Sequence, residues 1–169
     1  MPTRILIGNL ISLSSSVFLF SGSASRNVRN VYLFAIFDCI LLFIAQVFFG
    51  QGAAAISLLV AAIRNFLLTI RKYTAVSFAF IFSSTLILGL LFNTGGAIGL
   101  LPVFTTLLYT LTTYYAKGFV KVKLSLLLNL FLWTVYSSLI FDISGVVINL
   151  SSFIIAFVSL LNYAKRNSG

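Results

Sequence analysis

A carboxyl group stands in the middle of an apolar stretch at Asp38, where it must be protonated, paired or hydrated to be tolerated. Only one other acid, Asp142, occurs in the 169 residues. Gln46, eight residues after Asp38, shares its face of a helix. In a later apolar stretch Asn129, Trp133, Tyr136 and Ser137 recur at helical spacing, forming one stripe of amide, indole, phenol and hydroxyl groups. Aromatic rings beside an amide suit a small polar solute, although amides and hydroxyls also serve simply to join helices by hydrogen bonds. Arg64 sits near Ser57, Ala61 and Asn65, about two turns from a helix end. It is placed either to snorkel, to pair with Asp38 or to grip an anionic group. Asn149, with Ser152, Ser159 and Asn162, marks the last apolar stretch. Pro102 removes a backbone hydrogen bond inside another helix and is a candidate hinge. Histidine is absent and Cys39 is the only cysteine, which argues against metal ligation, a bound cofactor and an intramolecular disulfide. Two acids at different depths make no carboxylate dyad, so an enzyme is not expected.

These side chains must be positioned by membrane-spanning helices. Hydrophobic residues make up 60% of the chain and charged ones 8%, a composition that a water-soluble domain could not cover with polar surface. Helices are expected near residues 5–21, 30–49, 52–70, 74–92, 96–115, 119–140 and 144–163, in a single membrane domain over residues 1–169. The stretch from Tyr73 to Asn93 carries no charge and separates two segments that superimpose with a shift of 91. That shift pairs Ile7-Gly8 with Ile98-Gly99, Leu10 with Leu101, Val31 with Val122, Leu33 with Leu124, Leu41 with Leu132, and Asp38 with Asn129. Matched order of apolar spans and polar breaks reads as an internal repeat. The fold class is therefore an all-α membrane protein of seven transmembrane helices: two parallel three-helix bundles, residues 5–70 and 96–163, joined by a linking helix over residues 74–92, a 3+1+3 plan.

With seven spans the loops alternate sides. Arg26, Arg29, Arg71, Lys72, Lys117, Lys121, Lys123, Lys165 and Arg166 then collect at one face, while the other holds Arg4 and Asp142. The positive-inside rule makes the basic face cytoplasmic, with the N-terminus outside and the C-terminus inside. Ser21-Gly-Ser-Ala-Ser25 after the first apolar run resembles a signal-peptide cleavage site, but retaining that run as a helix agrees better with the charge distribution. A net charge of +9 is accounted for by topology and by anionic lipid headgroups, so the bilayer and not a nucleic acid is the expected partner. Gly50-Gln-Gly52, Asn93-Thr-Gly-Gly96 and Phe141-Asp-Ile-Ser-Gly145 read as tight turns. Ser21 to Asn30 reads as the longest and most polar connection.

The segments Gly50-Gln-Gly-Ala-Ala-Ala55 leading to Ala62-Ile-Arg64, Leu100-Leu-Pro-Val103 with Thr106, then Trp133 and Asp142-Ile-Ser-Gly145, together resemble the YgjV-type bacterial inner-membrane proteins. That family looks like a distant relative of the SWEET and PQ-loop transporters, whose repeats face each other across an axis along the membrane normal. The resemblance implies a bacterial inner-membrane location and carries Arg64, Pro102, Thr106 and Trp133 over to the family pattern. The chain departs where the pattern leads one to expect histidines, at Gln46 and Tyr136, and an acid, at Asn149. A facilitator without obligatory proton coupling follows, unless Asp38 itself carries the proton.

Two functions compete on this reading. One is a transporter that moves a small polar metabolite by alternating access, with Asp38, Gln46, Arg64, Asn129, Trp133, Tyr136 and Asn149 lining the site. The other is a membrane scaffold or assembly partner, for which Ala53, Ala54, Ala55, Ser57, Ala61 and Ala62 would supply a close-packing face. A homo-oligomer is compatible with either. A polar cavity reaching Asp38 and Asn129 would separate the first from the second.

Overall fold

The apolar stretches fold as seven helices in a computed structural model that describes residues 3–140 and 142–167. They are α1 (Thr3–Ala24), α2 (Val28–Phe49), α3 (Gly52–Thr69), α4 (Ala75–Leu91), α5 (Gly96–Tyr115), α6 (Phe119–Leu139) and α7 (Ile143–Asn167). All but α4 are long and apolar enough to cross a membrane. The 17 residues of α4 extend ~25 Å at the usual helical rise.

Local chemistry sets the helix ends. Gly50 lies in the left-handed region at φ 73°, and its N–H and that of Gln51 donate to Val47 and Gln46, closing the last turn of α2 with its carbonyls satisfied. The end of α3 repeats this on Arg71 at φ 57°, with Arg71 N–H donating to Leu68 and Lys72 N–H to Leu67. Asn27 caps α2 by accepting from Arg29 N–H, and Thr74 and Ser77 form a reciprocal cap on α4. α5 is continuous through Pro102.

Packing closes six helices into a ring. α1 lies on α2, α2 on α3, α3 on α5, α5 on α6, α6 on α7, and α7 returns to α1, while α4 packs outside the ring against α3 and α5. At one end Thr94 reaches the Gly50 carbonyl (3.4 Å), and at the other Tyr73 meets Tyr114 with ring centroids 5.9 Å apart. α4 therefore runs alongside α3 from one end of the bundle to the other. The expected basic residues share the Tyr73 end; Asp142 lies at the opposite one.

The molecule is polar inside and apolar outside. Large apolar side chains such as Val76, Phe80, Leu91, Phe131 and Ile154 are exposed, whereas Ser12, Ser15, Asp38, Arg64, Asn65, Thr106, Thr110 and Lys123 are buried. An exterior of this kind suits hydrocarbon, and an interior of this kind must satisfy itself.

Two expectations change. The connection over Ser21 to Asn30 is not long: α1 continues to Ala24 and α2 begins at Val28, with the Ser21 hydroxyl kept from the backbone N–H groups by donating to the Val17 carbonyl. Phe141, part of an expected turn, lies outside the described residues.

Candidate functional site

The polar side chains converge on a cavity of about 80 Å³ inside the ring. From α2 come Asp38, Cys39 and Gln46; from α3, Ala61, Arg64 and Asn65; from α5, Thr106 and Tyr109; from α6, Asn129, Trp133 and Ser137; from α7, Asn149. Helical period explains the selection, since Asp38, Leu42 and Gln46 repeat every four residues on one face of α2, as do Asn129, Trp133 and Ser137 on α6. Ser12, Ser15 and Leu19 do the same on α1.

Asp38 and Gln46 are 6% and 5% exposed; the Asp38 carboxyl is within hydrogen-bonding reach of Ser15, yet its Oδ1, like Gln46 Oε1 and Tyr109 Oη, has no hydrogen-bond partner among the described residues. Buried polar atoms are rarely left so without a reason. Arg64, 1% exposed, does not snorkel. Its Nη1 donates to Thr110 Oγ1 (3.0 Å), and Nε and Nη2 donate to Asn65 Oδ1 (3.3 and 3.2 Å). The guanidinium carbon lies 4.5 Å from the centre of the Tyr109 ring, a cation–π arrangement. Asn65 Nδ2 in turn points to Cys39 Sγ (3.7 Å), so α2, α3 and α5 are tied together. Of the alternatives for Arg64, snorkelling and pairing with Asp38 give way to these neutral partners.

Trp133 faces inward, packed with Cys39, Leu58, Ala61 and Ala62. Tyr136 does not line the cavity: its ring stands edge-on to Trp133 with centroids 5.5 Å apart, and its hydroxyl is 3.5 Å from Gln51 Oε1. Three residues beyond Trp133, it falls behind the indole. Pro102 is also buried but outside the lining. The small residues Ala53, Ala54, Ala55, Ser57, Ala61 and Ala62 are all buried within the chain itself.

The two ends of the cavity differ. Toward the Gln51 end, Asp142 lines both the cavity and a wider recess of about 470 Å³ framed by Ile5, Asn9, Phe49, Gln51 and Ile143. Asp142 Oδ1 accepts from Gly145 N–H (2.9 Å), capping α7. Burial pushes the Asp142 carboxyl above its ordinary range, and the Gly145 N–H draws it partly back. A Cβ on Gly145 would collide with Asp142 and Ser137, so only glycine allows this close turn. Toward the basic end the way is shut. Val31, Tyr32, Val122, Leu126, Leu127, Leu130 and Ala156 form an apolar plug, and Lys123, 0% exposed, donates its Nζ to the carbonyls of Gly22 (3.2 Å) and Ser23 (2.5 Å) in the last turn of α1.

Lys123 was counted from sequence among the charges of the exposed basic face. It belongs instead to the inner face of α6, a position legible in its spacing to Leu126 and Leu130. Asn65, Tyr109 and Thr110 were likewise missed as site residues, because a single polar residue next to others on a helix does not reveal which face turns inward. Among the described residues no group of three or more His, Cys, Asp or Glu comes together to hold a metal.

The apolar exterior, the polar ring interior and six spanning helices define a polytopic helical membrane protein. The family follows from the sequence match: the Imp-YgjV model, described as bacterial inner membrane protein, covers residues 6–167, and the chain belongs to that family. No curated protein and no solved structure matches it.

Proposed function

We propose that this chain is a seven-span inner-membrane transporter that moves a small polar solute by alternating access between α1–α3 and α5–α7, with α4 as the link. The observation that carries this reading is the cavity inside the ring, whose buried Asp38 and Gln46 present unpartnered oxygens opposite Asn129 and Trp133. A scaffold has no use for such groups, and the small residues that would have given it a docking face are consumed by internal packing.

The 3+1+3 repeat is supported by the lining itself. With the shift of 91, both members of seven pairs line the cavity, Ser15 with Thr106, Ala35 with Leu126, Asp38 with Asn129, Cys39 with Leu130, Leu42 with Trp133, Gln46 with Ser137 and Leu58 with Asn149, whereas the partners of Ser12, Leu19, Ala61, Arg64 and Asn65 do not. Helix contacts follow the same symmetry, α1 on α7 matching α5 on α3. So do the turns: Gln51 N–H donates to Gln46 and, at the equivalent place, Asp142 N–H donates to Ser137.

In this reading the basic end is cytoplasmic, the N-terminus outside and the C-terminus inside. The recess beside Asp142 is the open side, the Lys123 clasp the closed one, and Pro102 the hinge of α5. Transport needs neither an enzymatic step nor a nucleic-acid partner, and the expected partners are the bilayer and the solute. Uptake of labelled small polar solutes into liposomes holding the purified protein tests it. Trp133→Ala should cut uptake several-fold, and Trp133→Leu should recover thermal stability without recovering uptake, since stacking on the indole contributes on the order of 1 kcal/mol. Full recovery of uptake by leucine, or no uptake above empty liposomes, would overturn the proposal.

A further inference from the structure

We propose that the transported solute is a small zwitterion, an amino-acid-like molecule whose carboxylate meets Arg64 and whose ammonium meets Asp38. This rests on the transport reading and goes further by assigning the solute's charge and orientation.

Arg64 is a guanidinium buried in the interior of the helix ring that, among the described residues, donates to Thr110 and Asn65. These engage three of its five N–H groups, leaving one on each terminal nitrogen, the fork that a carboxylate fits. Across the same cavity Asp38 Oδ1 and Gln46 Oε1, both acceptors, lack partners. The cavity therefore has free donors on a cation among its lining and a free acceptor on an acid, Asp38, which lies about two turns from Gln46 and at the depth nearer Arg64.

Spacing suits one small molecule. Asp38 is ten residues from the start of α2 at Val28, and Arg64 five residues from the end of α3 at Thr69. Both of those helix ends lie at the basic side, so at the helical rise the two Cα positions differ in depth by about 7 Å. A carboxylate and an ammonium carried on one carbon, with a hydrogen bond of ~2.8 Å at each end, bridge such an offset. A water needs ~10–15 Å³ by this measure of space, so a cavity of about 80 Å³ holds a solute of about five to eight non-hydrogen atoms. That is the size of the shortest amino acids.

The repeat makes the binding polar in direction. The positions equivalent to Asp38 and Arg64 are Asn129 and Ile155, so both charges belong to the first half. The charged ends of the solute lie against α2 and α3, and its side group faces Asn129, Trp133 and Asn149. A simple cation would meet Arg64, a simple anion would meet Asp38, and an uncharged polyol would leave both uncompensated.

Competition among alanine, lactate, ethylamine and glycerol in proteoliposome uptake tests this. Lactate replaces the ammonium with a hydroxyl, and ethylamine lacks the carboxylate. Alanine should be preferred by at least about tenfold over both, as expected for a hydrogen bond between charged groups. Asp38→Asn should bring lactate level with alanine, and Arg64→Gln should abolish the preference of alanine over ethylamine. The wild-type ranking stands without the variants, should either fail to fold. Uptake of glycerol, lactate or ethylamine in preference to alanine overturns the zwitterion while leaving transport intact. No uptake of any of the four overturns both.

Discussion

Individual side chains in this protein answer to the low polarity around them. Asp142 shows it outside the spans, where its carboxyl is raised by burial and only partly rescued by Gly145 N–H. A raised carboxyl pKa in the folded state adds stability that is complete below the unfolded value of 3.8 and disappears as pH rises through the folded value. Asp142→Asn retains the capping oxygen and removes the titration. Relative to the wild type, the variant should be more stable at pH 8 than at pH 4, which thermal unfolding in detergent at both pH values measures. A difference between the two proteins that is constant with pH would show that Asp142 does not titrate in this way. The same logic separates Lys123 from the surface lysines: a buried ammonium is tolerated because two carbonyls receive it.

Between elements, that lysine becomes a clasp. Gly22 and Ser23 lie in the last turn of α1, where the helix dipole favours a cation; the Gly22 carbonyl also accepts from Ser25 N–H (3.2 Å), while the Ser23 carbonyl relies on Lys123. Lys123 on α6 supplies donor and charge together and fastens the first half of the ring to the second. Lys123→Met should lower stability by about 1–3 kcal/mol, the cost of leaving a buried acceptor unpaired, read from denaturant or thermal unfolding. It should also expose a cysteine placed at Leu126, beneath the clasp, to a thiol reagent applied from the basic side. An unchanged rate of labelling would mean that the clasp does not close that end. Tyr136 and Gln51 meet at the opposite end through a longer contact (3.5 Å), in keeping with a side left more open.

For the molecule as a whole, the alternation of loops sets which end faces the cytoplasm. A reporter fused after Gly169 should act only in the cytoplasm, and one inserted near Thr94 only outside. Signals from the same side at both sites would remove one of α5, α6 and α7 from the count of spans, and with it the relation between the two halves. The short α4 is tested by a third reporter near Lys72, which should act only in the cytoplasm, because 17 residues lie at the lower limit for crossing hydrocarbon. Its Thr94 and Tyr73 ends nevertheless reach opposite ends of α3 and α5.

Helix number and limits were readable along the chain because a hydrocarbon solvent allows few structures. Long uncharged runs must satisfy their backbone internally as helices, and Gly50 marks where one stops and Gly96 where another starts. Asp38, Arg64, Asn129 and Trp133 were readable as candidates for the same reason, since polar groups at such depth are costly. The faces were not. Whether Tyr136 lines the cavity or backs Trp133, whether Arg64 meets Asp38 or Thr110, and whether Lys123 sits in a loop or under α1 all depend on how helices distant in sequence are rotated against one another. A helical period specifies a face only relative to its own axis. The ring of α1, α2, α3, α5, α6 and α7 sets the absolute direction, through packing between residues as far apart as Ser23 and Lys123.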